Sequence, residues 1–133
     1  MDITNAINLL SDSFDTFSSS WSKAITVEDP SSAERIPLGF MVQGVTLSRM
    51  VAVIDGGLGS SSTWTIRFDT DAEGTGTEIV TGGTATSDQV SGSDVTTLDV
   101  AIIPPETFLW VETTALAGAV FTLSITLFGT LST

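Results

Sequence analysis

Phe121-Thr122-Leu123-Ser124-Ile125-Thr126-Leu127 alternates apolar and hydroxyl side chains without a slip. Successive side chains of a strand point to opposite faces, so this period of two predicts a strand that buries Phe121, Leu123, Ile125 and Leu127. Thr122, Ser124 and Thr126 then face solvent. Upstream of it, Ala115 to Gly118 reads as a turn and Thr107 to Thr113 as another strand. Pro104-Pro105 closes a further one, Val95 to Ile103, in which Leu98, Val100 and Ile102 alternate. Thr63 to Asp69 repeats the signal, with Trp64, Ile66 and Phe68 on a core side and Thr65, Arg67 and Asp69 on a wet side.

The same reading places strands at Ala24 to Glu28, Arg35 to Val42, Val45 to Ile54 and Thr77 to Thr81. Asp29-Pro30-Ser31-Ser32, Asp55-Gly56-Gly57, the loop Thr70 to Gly76 and Gly82-Gly83 punctuate them. Within Val45 to Ile54 the alternation slips at Ser48-Arg49, which predicts a bulge there or a strand buried on both faces. Thr84 to Asp94 is polar and small, a weak edge strand or a long surface loop. About eight short strands with no helical segment among them predict an all-β fold, an antiparallel, jelly-roll-like β-sandwich over residues 23–133. The pattern leaves their order open.

Ahead of this domain the period changes. Ile3, Ile7, Leu10, Phe14, Phe17 and Trp21 recur at steps of four and three, which is helical spacing. Residues 1–22 therefore read as a helical arm, too short to be stable alone, whose apolar stripe serves as an interface for oligomerisation or docking. Its partner is its own sandwich, a sister subunit or a neighbouring protein.

Composition narrows the chemistry. Sixteen acidic residues against four basic ones give a net charge of -12. Such a chain repels nucleic-acid phosphates and anionic lipid heads, and a charged ligand would be cationic. Lys23, Arg35, Arg49 and Arg67 are spread singly, so no basic stripe survives within the acidic total. The opening residues carry no basic stretch ahead of an apolar one, and no run of about eighteen apolar residues occurs, which predicts neither a secretion signal nor a membrane helix. Without cysteine, histidine or tyrosine, the triads and dyads built on those groups are excluded. Carboxylate pairs such as Glu106 with Glu112, or Asp69 with Asp71, are what remains for hydrolysis, and the expectation is that the chain is not an enzyme and uses no cofactor. A mean hydropathy of +0.35 beside so much charge points to apolar surface buried by association.

Two local patterns stand out. Asp69-Thr70-Asp71-Ala72-Glu73-Gly74 matches the first half of a calcium loop, with Asp69, Asp71 and Glu73 as candidate ligands. Val80 stands where the closing glutamate belongs, so a solvated acidic turn is the preferred reading. Trp21, Trp64 and Trp110 each lie in apolar patterns and are expected in packed interiors rather than on sugar-stacking surfaces. Apolar side chains on both sides of Phe108-Leu109-Trp110-Val111 predict a strand covered on both faces, with a subunit interface as one way of covering it.

Between Ile25 and Phe128 the chain resembles a β-domain of tailed-phage virion-surface proteins. The resemblance rests on Glu28-Asp29-Pro30, Arg35-Ile36-Pro37-Leu38, Ser62 to Arg67, Gly76 to Gly83 and Trp110 to Thr114. It implies a compact sandwich or jelly roll, usually trimeric and without enzymatic activity, and it carries over no residue with a defined role. A small domain behind a short arm fits a capsid decoration or cement protein on the virion surface, a homo-oligomer contacting the major capsid protein or another virion protein. The competing expectation is a tail-fibre or receptor-binding tip that reads a host glycan through Thr70 to Gly76 or Thr84 to Asp94.

Overall fold

The computed structural model describes residues 20–88 and 92–132. Its strands are β1 (Ser20–Glu28), β2 (Glu34–Met41), β3 (Val45–Gly56), β4 (Ser61–Asp69), β5 (Thr77–Glu78), β6 (Thr84–Ser87), β7 (Ser93–Val95), β8 (Ile102–Ile103), β9 (Thr107–Ala117) and β10 (Val120–Leu131). All pairings are antiparallel, and they nest inward from the two ends of this stretch: β1 with β10, β2 with β9, β3 with β7 and β8, β4 with β5 and β6. A single long ribbon, doubled back near β5, produces those pairs. Rolling the ribbon up adds two more, β10 with β3 and β9 with β4. The outcome is two five-stranded sheets with main orders β1-β10-β3-β7 and β2-β9-β4-β5, the arrangement of a jelly roll.

The alternating pattern explains why the sheets face each other. Leu123, Ile125 and Leu127 of β10 and Val45, Leu47, Met50 and Ala52 of β3 line the inner face of one sheet. Trp64, Ile66 and Phe68 of β4 with Leu109 and Val111 of β9 line the other. These side chains join one buried cluster. The Trp64 Nε1–H donates to the Thr86 hydroxyl at 2.9 Å, so the largest core side chain leaves no buried donor unpaired.

One irregularity falls where the alternation breaks. Opposite β10, Arg49 pairs with Phe128 and Leu47 with Gly129, which leaves Ser48 as the extra residue of the predicted bulge. Buried positions resume on the correct face at Met50. Gly129 is required there, because a Cβ would lie 2.4 Å from the Thr46 carbonyl oxygen. A second shift skips Phe121, so that Val120 faces Gly56 and Thr122 faces Asp55. Phe121 is therefore 57% exposed rather than buried with Leu123, which corrects the expected face of the best strand.

Other expectations are corrected as well. Trp21 does not belong to a helix; it lies in β1 opposite Gly129 and packs, partly buried, against the core. The remaining predicted interface residues, Ile3, Ile7, Leu10, Phe14 and Phe17, lie outside the described residues. Val95 to Ile103 is not a continuous strand. Its ends pair with β3 as parts of β7 and β8, while Leu98 and Val100 tuck against the core and the Asp99 and Val100 N–H groups both donate to the Ile79 carbonyl. Hydrophobic burial preserved the alternation there without a ladder. Thr77 to Thr81 shortens to β5 for the same reason, with Ile79 fully buried beyond the ladder's end.

Candidate functional site

The outer face of the β2-β9-β4-β5 sheet carries the most elaborate polar chemistry of the described residues. Strand register sets it out in rows. Pro37, Trp110, Arg67 and Glu78 are neighbours across four strands, as are Arg35, Glu112 and Thr65 across three. Arg67 lies at the centre, mostly buried. Its Nε donates to Glu112 Oε2 at 3.0 Å, an Nη approaches Glu78 Oε1 at 3.3 Å, and Nη1 reaches the Gly76 carbonyl at 3.1 Å. Glu112 accepts in turn from Trp110 Nε1–H at 3.0 Å, and Glu78 from the Thr65 hydroxyl at 2.8 Å. The expected wet face of β4 is therefore dry at Thr65 and mostly buried at Arg67.

Trp110 is 98% buried yet lies outside the core, since only its neighbours Leu109 and Val111 point inward. The loop from Asp69 to Gly76 and the Arg35 side chain cover it. The Arg35 guanidinium carbon stacks 3.8 Å from the ring centroid, a cation–π contact, while its nitrogens donate to the Gly74 carbonyl at 3.0 Å and to the Ala72 carbonyl. Gly76, at φ 79°, lies so close that a Cβ would meet the Trp110 ring at 2.5 Å. Cover from within the chain thus accounts for the second apolar side of β9 at Trp110.

The acidic loop spends its carboxylates on itself. Asp69 Oδ1 accepts from Asp71 N–H at 3.0 Å and Oδ2 from Gly76 N–H at 3.2 Å; Asp71 Oδ1 accepts from Glu73 N–H at 2.9 Å. The Asp71 N–H above all, with Gly76 and Thr70 adding to it against partial loss of solvent, holds the Asp69 carboxyl below the usual carboxylate range. Among the described residues no group of three or more carboxylates converges on a point where a metal ion could be held. Asp69, Asp71 and Glu73 form an exposed turn built on side-chain to backbone bonds.

Beside this loop, Phe40 and Phe108 pack at a centroid distance of 4.9 Å and stay 45% and 36% exposed. With Arg35, Pro37, Ala72 and Trp110 they line a largely apolar cleft of about 250 Å³. Sequence reading missed Arg35, Arg67, Glu78 and Phe40, because their partners come from strands distant in the chain. The available hint was the cluster of glycines at Gly74 and Gly76 next to acidic residues, which marks a close backbone approach.

The opposite sheet is plainer outside. Arg49 makes a bidentate pair with Asp94, at 2.8 and 2.9 Å, that fastens β7 to β3. The hydrogen bond lowers the Asp94 pKa and raises that of Arg49. Both side chains are about half exposed, so the pair adds little to stability.

Fold and surface together define an antiparallel two-sheet jelly roll with one ornamented and one plain outer face. No protein-family profile matches the sequence, and no curated protein does either. Among solved structures, the chain is similar to the nucleoplasmin-like N-terminal domain of Drosophila FKBP39, at 11% identity and a TM-score of 0.45 over 88% of this chain and 92% of that one. It is also similar to a chain of the nora virus structure, at 11% identity and TM-score 0.37 over 84% of this chain and 55% of the other. A chain of infectious bursal disease virus, Gx strain, follows at 10% identity and TM-score 0.29, over 82% of this chain and 32% of that one. The protein spans only about half and a third of the two viral chains. Likenesses this distant carry no functional argument.

Proposed function

We propose that the protein is a non-enzymatic structural subunit of a virion, a capsid decoration or cement protein that works by burying shared surface between neighbouring shell subunits. The observation that carries this reading is exposed apolar surface on a highly acidic chain. Phe40 and Phe108 form a patch on one sheet, and Val42, Val53, Leu58, Ile102 and Phe121 are each more than 40% exposed elsewhere. A shared interface of standard size clamps a lattice without chemistry. Of the carboxylates considered for hydrolysis, Glu112 is held by Arg67 and Trp110, and Asp69 and Asp71 by loop amides. Oligomerisation as a trimer, location on the virion surface of a phage and contact with the major capsid protein belong to the same proposal.

The test is a reconstitution. Purified protein is expected to bind capsids assembled without it, to saturate, and to raise the temperature at which they release their contents. Unchanged capsid stability at full occupancy, or no binding, refutes the cement role. The second reading, a tail-fibre or receptor-binding tip, draws on the aromatic cleft beside loop Thr70 to Gly76, since jelly rolls also serve lectins. Saturable binding to a host glycan on an array, with no affinity for capsids, would select it.

A further inference from the structure

We infer that the free edge of β1 is a pairing surface for the β1 of a second copy of this chain, the two strands running antiparallel about a two-fold axis at Ile25 so that their sheets join into one. The contact goes beyond the virion reading and does not rest on it. A trimer built through other surfaces leaves this edge open, so the two are read separately.

The edge is open by geometry. Just past the end of β1 the Asp29 N–H donates to the Phe121 carbonyl. Because the bonds of an antiparallel ladder alternate, the odd-numbered residues from Trp21 to Val27 spend their backbone groups on β10, and the even-numbered ones from Ser20 to Glu28 turn theirs outward. The Thr26 and Ser124 hydroxyls, 3.1 Å apart, mark a close, non-hydrogen-bonded pair and agree with that phase. Among the described residues nothing pairs with the outward groups. The other edges are blunted, β2 by Pro37 and the bulge before Gly39, and β5 to β8 by lengths of two to four residues. β1 pairs regularly from Ser20 to Glu28 with neither device. The sandwich is also unsealed on this side. At the far side the Asp99 and Val100 N–H groups donate to Ile79 and the Leu47 N–H to Ala101, which straps the sheets together. Beside β1, Trp21, Ile25 and Ile36 remain only partly buried.

What meets such an edge is an extended backbone, and charge and register select a second copy. Ser20 to Val27 carries Lys23 and no carboxylate, so two molecules of net charge -12 meet here with little local repulsion. For the outward groups of both copies to face each other, even-numbered residues must lie opposite even-numbered ones. A two-fold at Lys23 sets that lysine against itself, and one at Ala24 makes the two lysines diagonal neighbours; both are unfavourable. A two-fold at Ile25 sets the partly buried Ile25 against its twin, Ala24 against Thr26 and Ser22 against Glu28. Lys23 then lies opposite Val27 of the second copy, with that copy's Asp29 as a diagonal neighbour of opposite charge. Within one molecule the Lys23 ammonium lies beside Gly39 of β2, and among the described residues it pairs with no carboxylate.

Sedimentation velocity of the full chain, over micromolar to submillimolar concentrations, is expected to show a monomer–dimer equilibrium. Ala24→Pro removes one outward N–H and leaves the β10 ladder whole, as proline at a strand edge allows. It should weaken the dimer at least about tenfold with unchanged far-ultraviolet dichroism. Register is read by charge at two exposed positions. Ala24→Lys with Thr26→Lys sets lysine opposite lysine twice and should weaken the dimer at least about tenfold, although it reduces the net negative charge. Ala24→Lys with Thr26→Glu sets opposite charges face to face and should return the affinity to within about threefold of wild type. Thr46→Lys with Val53→Lys places the same charge on exposed positions of β3 and should not weaken it. The charge pairs decide by themselves if the proline variant misfolds. A chain that is monomeric at every concentration overturns the contact, as does a dimer indifferent to Ala24→Pro or to the lysine pair. So does a lysine–glutamate variant no tighter than the lysine–lysine one, or a trimer that Ala24→Pro dissolves.

Discussion

Trp64 and Trp110 occupy neighbouring strands of one sheet, both almost wholly shielded from water, but by different means. Trp64 faces the other sheet, and its ring is enclosed by side chains that the whole fold brings together. Trp110 faces outward, and its cover is a loop of eight residues, Asp69 to Gly76, and one arginine from β2, held by hydrogen bonds and a cation–π contact. Burial in the core is global and costs unfolding to undo. Burial under a loop is local, and a local opening undoes it while both sheets stay intact. A shielded aromatic is therefore not by itself evidence of a core.

The first way to break the comparison is to truncate each ring. Trp64→Ala leaves a large cavity between the sheets and removes one of the two hydrogen bonds of the Thr86 hydroxyl, which keeps its bond to Ser93, so a loss of about 3–5 kcal/mol is expected in urea unfolding. Trp110→Ala should cost distinctly less, because the overlying loop is free to settle into the gap. Equal losses at the two sites would show that the loop is as rigid as the core.

A smaller effect sharpens the same contrast. Arg35→Met removes the stacking cation and the donors to Ala72 and Gly74 but keeps an apolar side chain. Global stability should fall by less than about 1 kcal/mol, the range of an exposed cation–π contact. In a Trp21→Phe background, however, acrylamide should quench a larger fraction of the emission, since Trp110 becomes accessible and Trp64 does not. Unaltered quenching would mean that the loop stays closed without its arginine.

The smallest expected effect is in the pH dependence. Asp69 has a depressed pKa in the folded protein, so its contribution is fully present above the ordinary carboxylate value of about 3.9 and is lost as pH falls through the lower, folded value. Melting temperatures of wild type and Asp69→Asn should differ at neutral pH and converge on acidification below about pH 4. A gap that persists unchanged to pH 2.5 would assign the difference to shape rather than charge.

How much of this was legible beforehand follows the reach of each signal. Period-two runs are local, and they located the strands around Trp64 and Ile125, while the slip at Ser48-Arg49 offered the bulge as one of two readings. They misjudged Phe121, because a bulge depends on the register against β3 and not on β10 alone. Trp21 looked helical through its spacing from Phe17 and Phe14, yet pairing of β1 with β10 claimed it for the sheet. The acidic turn was readable from Asp69 to Gly74; that it lies over Trp110 was not.

By itself, then, the sequence determined the class of fold, the absence of histidine, cysteine and tyrosine, and the net charge of -12, since periodicity and composition are properties of neighbours and totals. Only the tertiary structure decided the nested strand order, the Arg67 network with Glu78 and Glu112, and the aromatic cleft at Phe40 and Phe108. Those depend on which distant strands lie side by side, and long-range register is chosen by the packing of the whole chain rather than by any segment of it.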